Sequence, residues 1–104
     1  MENKVYRLRY LPLFEEDLVS TADYIANKLQ NPAAAAHLVD AVEAAIRDRL
    51  HNPLAFEPYR FSGDRNVTYY RIYVKNYVVY YVVIDDVMEV RRLLYGPRDA
   101  ERYL

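Results

Sequence analysis

Cysteine and tryptophan are absent from the chain, and glycine occurs only at Gly63 and Gly96. Without cysteine, disulfide bonds and thiolate metal sites are excluded, and the absence fits a reducing cytoplasm. With so little glycine, no glycine-rich phosphate loop can form. No apolar run reaches membrane-spanning length, and the charged N-terminus does not resemble a signal peptide. These absences predict a soluble cytoplasmic protein that uses no cofactor and no membrane.

The length of the chain limits the number of domains, and its net charge limits the kinds of ligand that we expect. A chain of 104 residues is long enough for one domain with its own core and too short for two, so we expect a single domain over residues 1–104. The formal net charge of -1 argues against general nucleic-acid binding, because the phosphate contribution scales with the number of basic contacts. Any binding of that kind requires a local basic patch.

The polar residues do not form a recognisable metal or hydrolase site. His37 and His51 are too far apart on one predicted helix to bind a metal together. The pair Asp85-Asp86 lies between two predicted strands, which favours a turn over an acid-base site. No serine or threonine has an evident base nearby, and we therefore expect neither hydrolase nor nucleotide chemistry.

The C-terminal third alternates β-branched and aromatic residues with a period of two and breaks at Lys75-Asn76 and Asp85-Asp86. Such a pattern predicts a three-stranded antiparallel meander with two short turns. Two-residue loops would fix the register of all three strands. The residues that flank the turns then pair as Val74 with Tyr77 and Ile84 with Val87.

This register assigns a face to every side chain of the meander. The face predicted to pack on the helices carries Tyr70, Ile72, Val74, Tyr77, Val79, Tyr81, Val83, Met88, Val90 and Leu94, interrupted by Arg92. The outer face carries Tyr69, Arg71, Tyr73, Val78, Tyr80, Val82, Glu89, Arg91, Leu93 and Tyr95. Arginine and tyrosine suit an RNA strand or a protein partner, and they equally suit an ordinary half-exposed sheet.

The first half of the chain predicts a scaffold. Residues Val5–Tyr10 read as a strand, Pro12 can open a helix that ends near Gln30, and Asn31 can cap a second helix that ends at His51. The apolar stripes of the two helices are Phe14, Leu18, Ala22, Ile25, Leu29 and then Ala35, Leu38, Val42, Ile46, Leu50. The predicted fold class is α+β, with an N-terminal strand, an antiparallel helical hairpin, a three-stranded antiparallel meander and a short C-terminal helical segment.

Arg98 is the strongest single candidate for a functional residue. It follows Gly96-Pro97 directly after the last strand, where the chain turns and can aim the side chain across the sheet edge. The alternative is a surface ion pair with Asp99 or Glu101, which would contribute little stability.

The order of elements and one motif resemble a known family. The motif runs from Arg92 to Asp99 as RLLYGPRD and is preceded by Tyr70-Arg71-Ile72 and by NYVVYY from Asn76 to Tyr81. Together they resemble the RelE/ParE superfamily of bacterial type II toxins, the plasmid stabilisation type, over nearly the whole chain. The resemblance implies a toxin that a cognate antitoxin holds inactive in a toxin-antitoxin hetero-oligomer.

The two branches of that superfamily imply different targets. The RelE branch cleaves messenger RNA in the ribosomal A site without a metal, and the ParE branch poisons DNA gyrase. A RelE-like site would use Arg71 and Arg98 to stabilise phosphate charge, with Tyr103 or alternatively Tyr95 as the acid-base aromatic. The binding surface implied for either branch consists of Tyr73, Tyr80, Arg91, Tyr95 and Arg102.

Two departures from the RelE pattern bear on the choice between the branches. Val78 occupies a position that is commonly arginine, and Tyr73 occupies one that is lysine in RelE-like nucleases. The loss of two cations would raise the barrier of a reaction that depends on charge stabilisation. A ParE-like action on gyrase is therefore favoured, with a RelE-like ribonuclease and an inert antitoxin-binding relative as the alternatives.

Overall fold

A four-stranded sheet carries a helical hairpin on one face. The structure is a computed structural model that describes residues 4–60, 66–96 and 100–104, with the backbone alone for Glu101. The elements are β1 (Arg7–Tyr10), α1 (Pro12–Asp23), a π-helical segment (Tyr24–Lys28), α2 (Pro32–Leu50), β2 (Tyr70–Val74), β3 (Tyr77–Ile84), β4 (Val87–Tyr95) and α3 (Ala100–Tyr103). This order confirms the predicted α+β class. Within the described ranges, no helix has the length and hydropathy needed to cross a bilayer.

Both turns of the meander lie where the sequence predicts them. Val74 pairs with Tyr77 across the first turn, and Ile84 pairs with Val87 across the second. The first residue of each two-residue loop has a positive φ, 54° at Lys75 and 56° at Asp85. The sheet order is β1-β4-β3-β2, in which β1 runs parallel to β4 and the other pairs are antiparallel. Strand β2 therefore lies at one edge of the sheet.

A β-bulge in β4 changes the predicted faces beyond Val90. Tyr81 pairs with Val90 but Tyr80 pairs with Arg92, so Arg91 has no opposing residue on β3. One extra residue in a strand exchanges the faces of all the residues that follow. The register expected from the two turns alone predicts Arg71, Tyr80 and Arg91 directly opposite one another across the three strands. That prediction is wrong, because Arg92 and not Arg91 lies opposite Tyr80.

The bulge also explains the positions of two leucines and a tyrosine. Leu93 packs in the core beneath the helices, and Leu94 packs in a second cluster on the outer face, the reverse of the prediction. Tyr95 makes an edge-on contact with Tyr77, at 5.3 Å between ring centroids, on the helix side of the sheet. Tyr95 therefore lies on the opposite face from the one predicted.

The outer face is largely covered instead of exposed. Tyr80, predicted as part of a binding surface, is 0 % exposed. It belongs to the cluster of Tyr69, Val78, Tyr80, Val82, Leu94 and Ala100, which Tyr59, Val67 and Leu104 border. Tyr59 and Val67 before β2 and Ala100 and Leu104 after β4 pack on this face, and a period-two pattern within the strands does not contain that information.

The helical hairpin forms as predicted, with one local difference. The Asn31 side-chain oxygen accepts a hydrogen bond from the Ala34 N–H at 3.1 Å and caps α2. The first helix continues past Asp23 with a wider π-helical turn, in which the Leu29 N–H donates to the Tyr24 carbonyl. An inserted residue rotates the following side chains about the axis, and Leu29, predicted in the apolar stripe, is exposed.

Candidate functional site

Arg91 lies within a charge network on the outer face. The Glu89 carboxylate accepts from the Arg91 Nε at 2.9 Å and from the Arg9 Nη1 at 3.0 Å, and Arg91 also donates to the Tyr69 hydroxyl at 3.2 Å. Glu89 is buried. Burial opposes ionisation, but the hydrogen bonds from Arg9 and Arg91 outweigh it and lower the pKa of Glu89. The predicted surface residue Arg91 therefore neutralises a buried carboxylate.

Arg92 fastens helix α1 to the sheet. Its guanidinium forms a bidentate pair with the Asp17 carboxylate at 2.7 and 2.9 Å, and the same carboxylate accepts from the Leu93 N–H at 3.0 Å. Strand β1 ends beside Val90, so Asp17 supplies an acceptor to the edge of β4 beyond it. This arginine is structural.

Arg71 and Arg49 lie beside the edge strand β2, where each contacts an aromatic ring. Arg49 was not selected in the sequence analysis. The Arg71 Cζ lies 4.2 Å from the Tyr59 ring centroid and 5.5 Å from that of Tyr73. The Arg49 Cζ lies 3.5 Å from the Phe56 centroid. We call Arg49, Phe56, Tyr59, Arg71 and Tyr73 the β2 patch.

Arg49 is anchored by two hydrogen bonds at the end of α2. Its Nη1 donates to the Arg71 carbonyl at 3.1 Å and to the Tyr81 hydroxyl at 3.0 Å, and that hydroxyl donates to the Pro53 carbonyl at 2.7 Å. Burial raises the pKa of Tyr81 although Arg49 opposes the shift, so this hydroxyl stays protonated near neutrality. Sequence reasoning missed Arg49 because in the pattern it is one polar residue in the last turn of a helix.

Of the three residues predicted for catalysis, Arg71 and Tyr103 are among the described residues, and these two lie apart. Arg98 lies outside the described residues, as does Asp99, one of its two candidate ion-pair partners. Tyr103 is exposed and its ring lies 5.4 Å from the Cζ atoms of both Arg92 and Arg102. Arg71 contacts Tyr59 and Tyr73 instead, on a strand separated from Arg92 by β3. At about 4.8 Å per strand, these Cα atoms are about 10 Å apart.

Tyr95 and the helical hairpin border a groove on the other side of the sheet. This groove has a volume of about 910 Å³. We call it the tyrosine groove, and its lining includes Tyr24, Ile25, Leu29, Lys75, Tyr77 and Tyr95. Tyr24, Leu29 and Tyr95 are exposed. Burial, together with Tyr95 and Tyr24, raises the pKa of Tyr77, so its phenol is a hydrogen-bonding group and not a base at neutral pH.

The site chemistry is that of binding surfaces. In the described part of the chain, no three histidine or acidic side chains are grouped closely enough to hold a metal ion. The β2 patch offers guanidinium groups stacked on rings, and the tyrosine groove offers apolar and phenolic side chains, of which Tyr24, Leu29 and Tyr95 are exposed. Both suit a macromolecular partner.

Comparison with solved structures shows which proteins share this fold. The chain of the chromosomal ParDE toxin-antitoxin system from P. aeruginosa superposes with a TM-score of 0.70 at 15% identity, covering 88% of this chain and 97% of that one. The archaeal RelE-RelB complex from Pyrococcus horikoshii gives a TM-score of 0.53 at 22% identity, covering 90% and 98%. The E. coli DinJ-YafQ complex gives 0.54 at 10% identity, covering 88% and 92%. The fold is that of RelE/ParE toxins.

Sequence comparison identifies the family within that class. The model of the ParE toxin of the type II toxin-antitoxin system parDE matches residues 8–100. The chain therefore belongs to the ParE toxin family, a toxin family of type II toxin-antitoxin systems. A search of curated protein sequences gives no match.

Proposed function

We propose that this chain arrests growth by acting on DNA gyrase in the cytoplasm and that a cognate antitoxin holds it inactive. The observation that carries the proposal is the match of the ParE family model to residues 8–100. The superposition on the ParDE chain, with a TM-score of 0.70 against 0.53 and 0.54 for the RelE-RelB and DinJ-YafQ chains, supports the same branch.

The described residues offer little support for ribonuclease chemistry. A metal-independent cleavage needs several cations around the reacting phosphate. Val78 and Tyr73 stand where RelE-like nucleases have cations, and the guanidinium of Arg91 is engaged by Glu89. Arg71 and Tyr103 lie in separate sets of contacts. A surface that recognises a protein target requires none of these cations in one place.

Induced expression in cells, with parallel mapping of plasmid topology and RNA ends, tests this function. We expect growth arrest with relaxed or cleaved plasmid DNA and intact messenger RNA. Cleavage of messages in the ribosomal A site that disappears in Arg98→Ala would establish the RelE-like alternative instead. Undisturbed growth at high toxin levels would leave only an inert antitoxin-binding relative.

The proposed partner is an antitoxin, because the solved chains that share this fold come from toxin-antitoxin systems. The β2 patch and the tyrosine groove are the surfaces we propose for target and antitoxin. Co-expression with the product of a small open reading frame beside the gene should restore growth and yield a co-purifying hetero-oligomer. Failure to restore growth with that product would reject it as the antitoxin.

A further inference from the structure

The tyrosine groove has the size of a small-molecule site. It lies between the π-helical segment, the start of α2 and the first turn of the meander, and its volume is about 910 Å³. Sites for small molecules occupy about 300–1,000 Å³, and most of their lining is apolar or aromatic, with a few polar groups that orient the ligand. The groove matches this description, because Ile25, Leu29 and three tyrosines line it beside a small number of polar side chains.

Three tyrosines form the aromatic part of the lining. Tyr77 and Tyr95 make an edge-on contact at 5.3 Å between ring centroids, and Tyr24 and Tyr95 are 53% and 62% exposed. Phenol rings pack against flat apolar groups and keep a polar tip at the water boundary. Burial raises the pKa of Tyr77, and Tyr95 and Tyr24 add to the shift, so the Tyr77 hydroxyl can donate a hydrogen bond at neutral pH.

The charge of the lining is of one sign. Among the described residues that border the groove there is neither aspartate nor glutamate, and the basic side chains are Lys75 and His37. Lys75 has no ion-pair partner in the part of the chain that the structure describes. Its turn is fixed to the end of β4, because the Gly96 N–H donates to the Asn76 carbonyl at 2.9 Å. An ammonium group held in this way attracts an anion.

From the volume, the aromatic lining and the charge we infer that the tyrosine groove binds a small planar aromatic molecule that carries an acidic group. The rings contact the aromatic part of the ligand, and the Lys75 ammonium binds the acidic group. The inference goes beyond the proposed function, since such binding requires neither gyrase nor antitoxin.

The β2 patch also combines rings with cations, but its rings already have partners. The Arg71 Cζ lies 4.2 Å from the Tyr59 centroid and 5.5 Å from that of Tyr73, and the Arg49 Cζ lies 3.5 Å from that of Phe56. A flat ligand would have to displace a guanidinium group there. No described arginine or lysine stacks on the tyrosines of the groove. The groove is therefore the site that is open to an aromatic ring.

The test is fluorescence titration of the whole toxin with anilinonaphthalene sulfonate, an aromatic anion whose emission reports apolar surroundings. The comparison probe is N-phenylnaphthylamine, which has the same ring system without the sulfonate. Near-ultraviolet circular dichroism of the same sample shows that the toxin is natively packed. We expect saturable binding of one sulfonate molecule per chain. No saturable binding, or binding at several equivalent sites, overturns the inference.

Lys75→Asn tests the contact with the acidic group. This variant removes the charge and keeps a residue that tolerates the φ of 54° at this position. We expect about tenfold weaker binding of the sulfonate, because a charge-assisted hydrogen bond is lost, and less than about a twofold change for the uncharged probe. Unchanged sulfonate binding, or equal weakening of both probes, contradicts the inference.

Lys4→Asn is the matched control for charge. Lys4 donates to the Asp85 carbonyl at 3.4 Å, beside the turn at the other end of the eight-residue strand β3. That turn is about 25 Å from Lys75. Lys4→Asn should change sulfonate binding less than about twofold. A loss equal to that of Lys75→Asn would show a general effect of net charge and would overturn the assignment to the groove.

Tyr95→Ala tests the aromatic contact. Removal of this ring should weaken both probes about tenfold. Tyr73→Ala removes a ring of similar exposure, 59% against 62%, in the β2 patch and should change both affinities less than about twofold. Weakening by Tyr73→Ala alone would place the ligand in the β2 patch and contradict the inference. The titrations contain neither gyrase nor antitoxin, so their failure is distinguishable from failure of the proposed function.

Discussion

Asp17 is the residue that joins helix α1 to the open edge of β4. Asp17 and Arg92 form a bidentate pair in which both side chains are 16% exposed, and Asp17 also accepts from the Leu93 N–H. Asp17→Ala leaves both donors without this acceptor. We expect the free energy of unfolding, measured by urea denaturation at neutral pH, to fall by about 2–4 kcal/mol.

The control for this substitution lies on the same helix. Asp23 is exposed near the end of α1, and Asp23→Ala should change the free energy of unfolding by less than about 0.5 kcal/mol. If Asp17→Ala and Asp23→Ala lowered the free energy of unfolding equally, the pair of Asp17 with Arg92 would add no stability beyond that of any carboxylate on helix α1.

Glu89 makes the stability of the fold depend on acid pH. Its pKa is lowered in the folded state because the hydrogen bonds from Arg9 and Arg91 outweigh the effect of burial. A carboxylate with a lowered folded pKa contributes stability above its unfolded pKa of about 4.3, and that contribution is lost as the pH falls through the folded pKa. Glu89→Gln should therefore be less stable than the parent at pH 7, and the difference should shrink on acidification.

Urea denaturation across a pH series measures this effect. Glu57→Gln, at an exposed position, is the matched control and should change the free energy of unfolding at pH 7 by less than about 0.5 kcal/mol. A stability difference between Glu89→Gln and the parent that stays constant down to strongly acidic pH would contradict the assignment of the pKa shift to the folded network.

Residue-scale predictions succeed where the determining interactions are local. Asn31 lies immediately before the Pro-Ala start of a helix, and its capping bond to Ala34 spans three residues. Arg49 was not predicted because its contacts, with the Arg71 carbonyl and the Tyr81 hydroxyl, join residues far apart in the chain. No periodicity within α2 distinguishes it from the exposed Arg47.

At the scale of elements, the first hairpin turn places a side chain in left-handed backbone. Lys75 has φ 54°, a conformation that β-branched residues adopt at high cost and asparagine tolerates. Lys75→Val should lower the free energy of unfolding by about 1–2 kcal/mol. Lys75→Asn removes the same charge and should leave thermal and urea stability unchanged or raise them slightly, and equal destabilisation by both would exclude backbone strain as the cause.

The start of α2 provides a second test of an element. Asn31→Ala removes the acceptor for the Ala34 N–H and should lower the free energy of unfolding by about 1 kcal/mol. Asn31→Ser keeps a capping oxygen and should retain most of that stability. A loss of similar size in the serine variant, measured by urea denaturation, would show that another property of asparagine matters.

The bulge in β4 shows where residue alternation fails to predict the face on which a strand residue lies. A strict period of two places Leu93 outside and Leu94 inside, whereas the structure places them the other way round. The sequence does contain a sign of the bulge. Two arginines, Arg91-Arg92, are followed by two leucines, Leu93-Leu94, and these pairs interrupt the alternation of polar and apolar residues. Which residue is extra depends on Glu89 and Asp17, whose contacts with Arg91 and Arg92 hold the bulge.

For the whole molecule, element order and fold class follow from the sequence because caps, turns and alternation are local features. The burial of Tyr80 does not, since it depends on how the chain before β2 and after β4 folds over the sheet. The residues predicted to form one binding surface therefore lie in different places. Tyr73 remains exposed beside Arg71, Tyr95 lies across the sheet in the tyrosine groove, and the role of Arg98 stays a prediction.

A supercoiling assay with purified gyrase tests most directly whether this toxin acts on gyrase. Relaxed plasmid, gyrase and ATP are incubated with increasing toxin, with and without the cognate antitoxin. We expect supercoiling to fall with rising toxin and to recover on addition of antitoxin. Full supercoiling at high concentrations of folded toxin, together with cleavage of messenger RNA on purified ribosomes, would contradict the proposed action on gyrase.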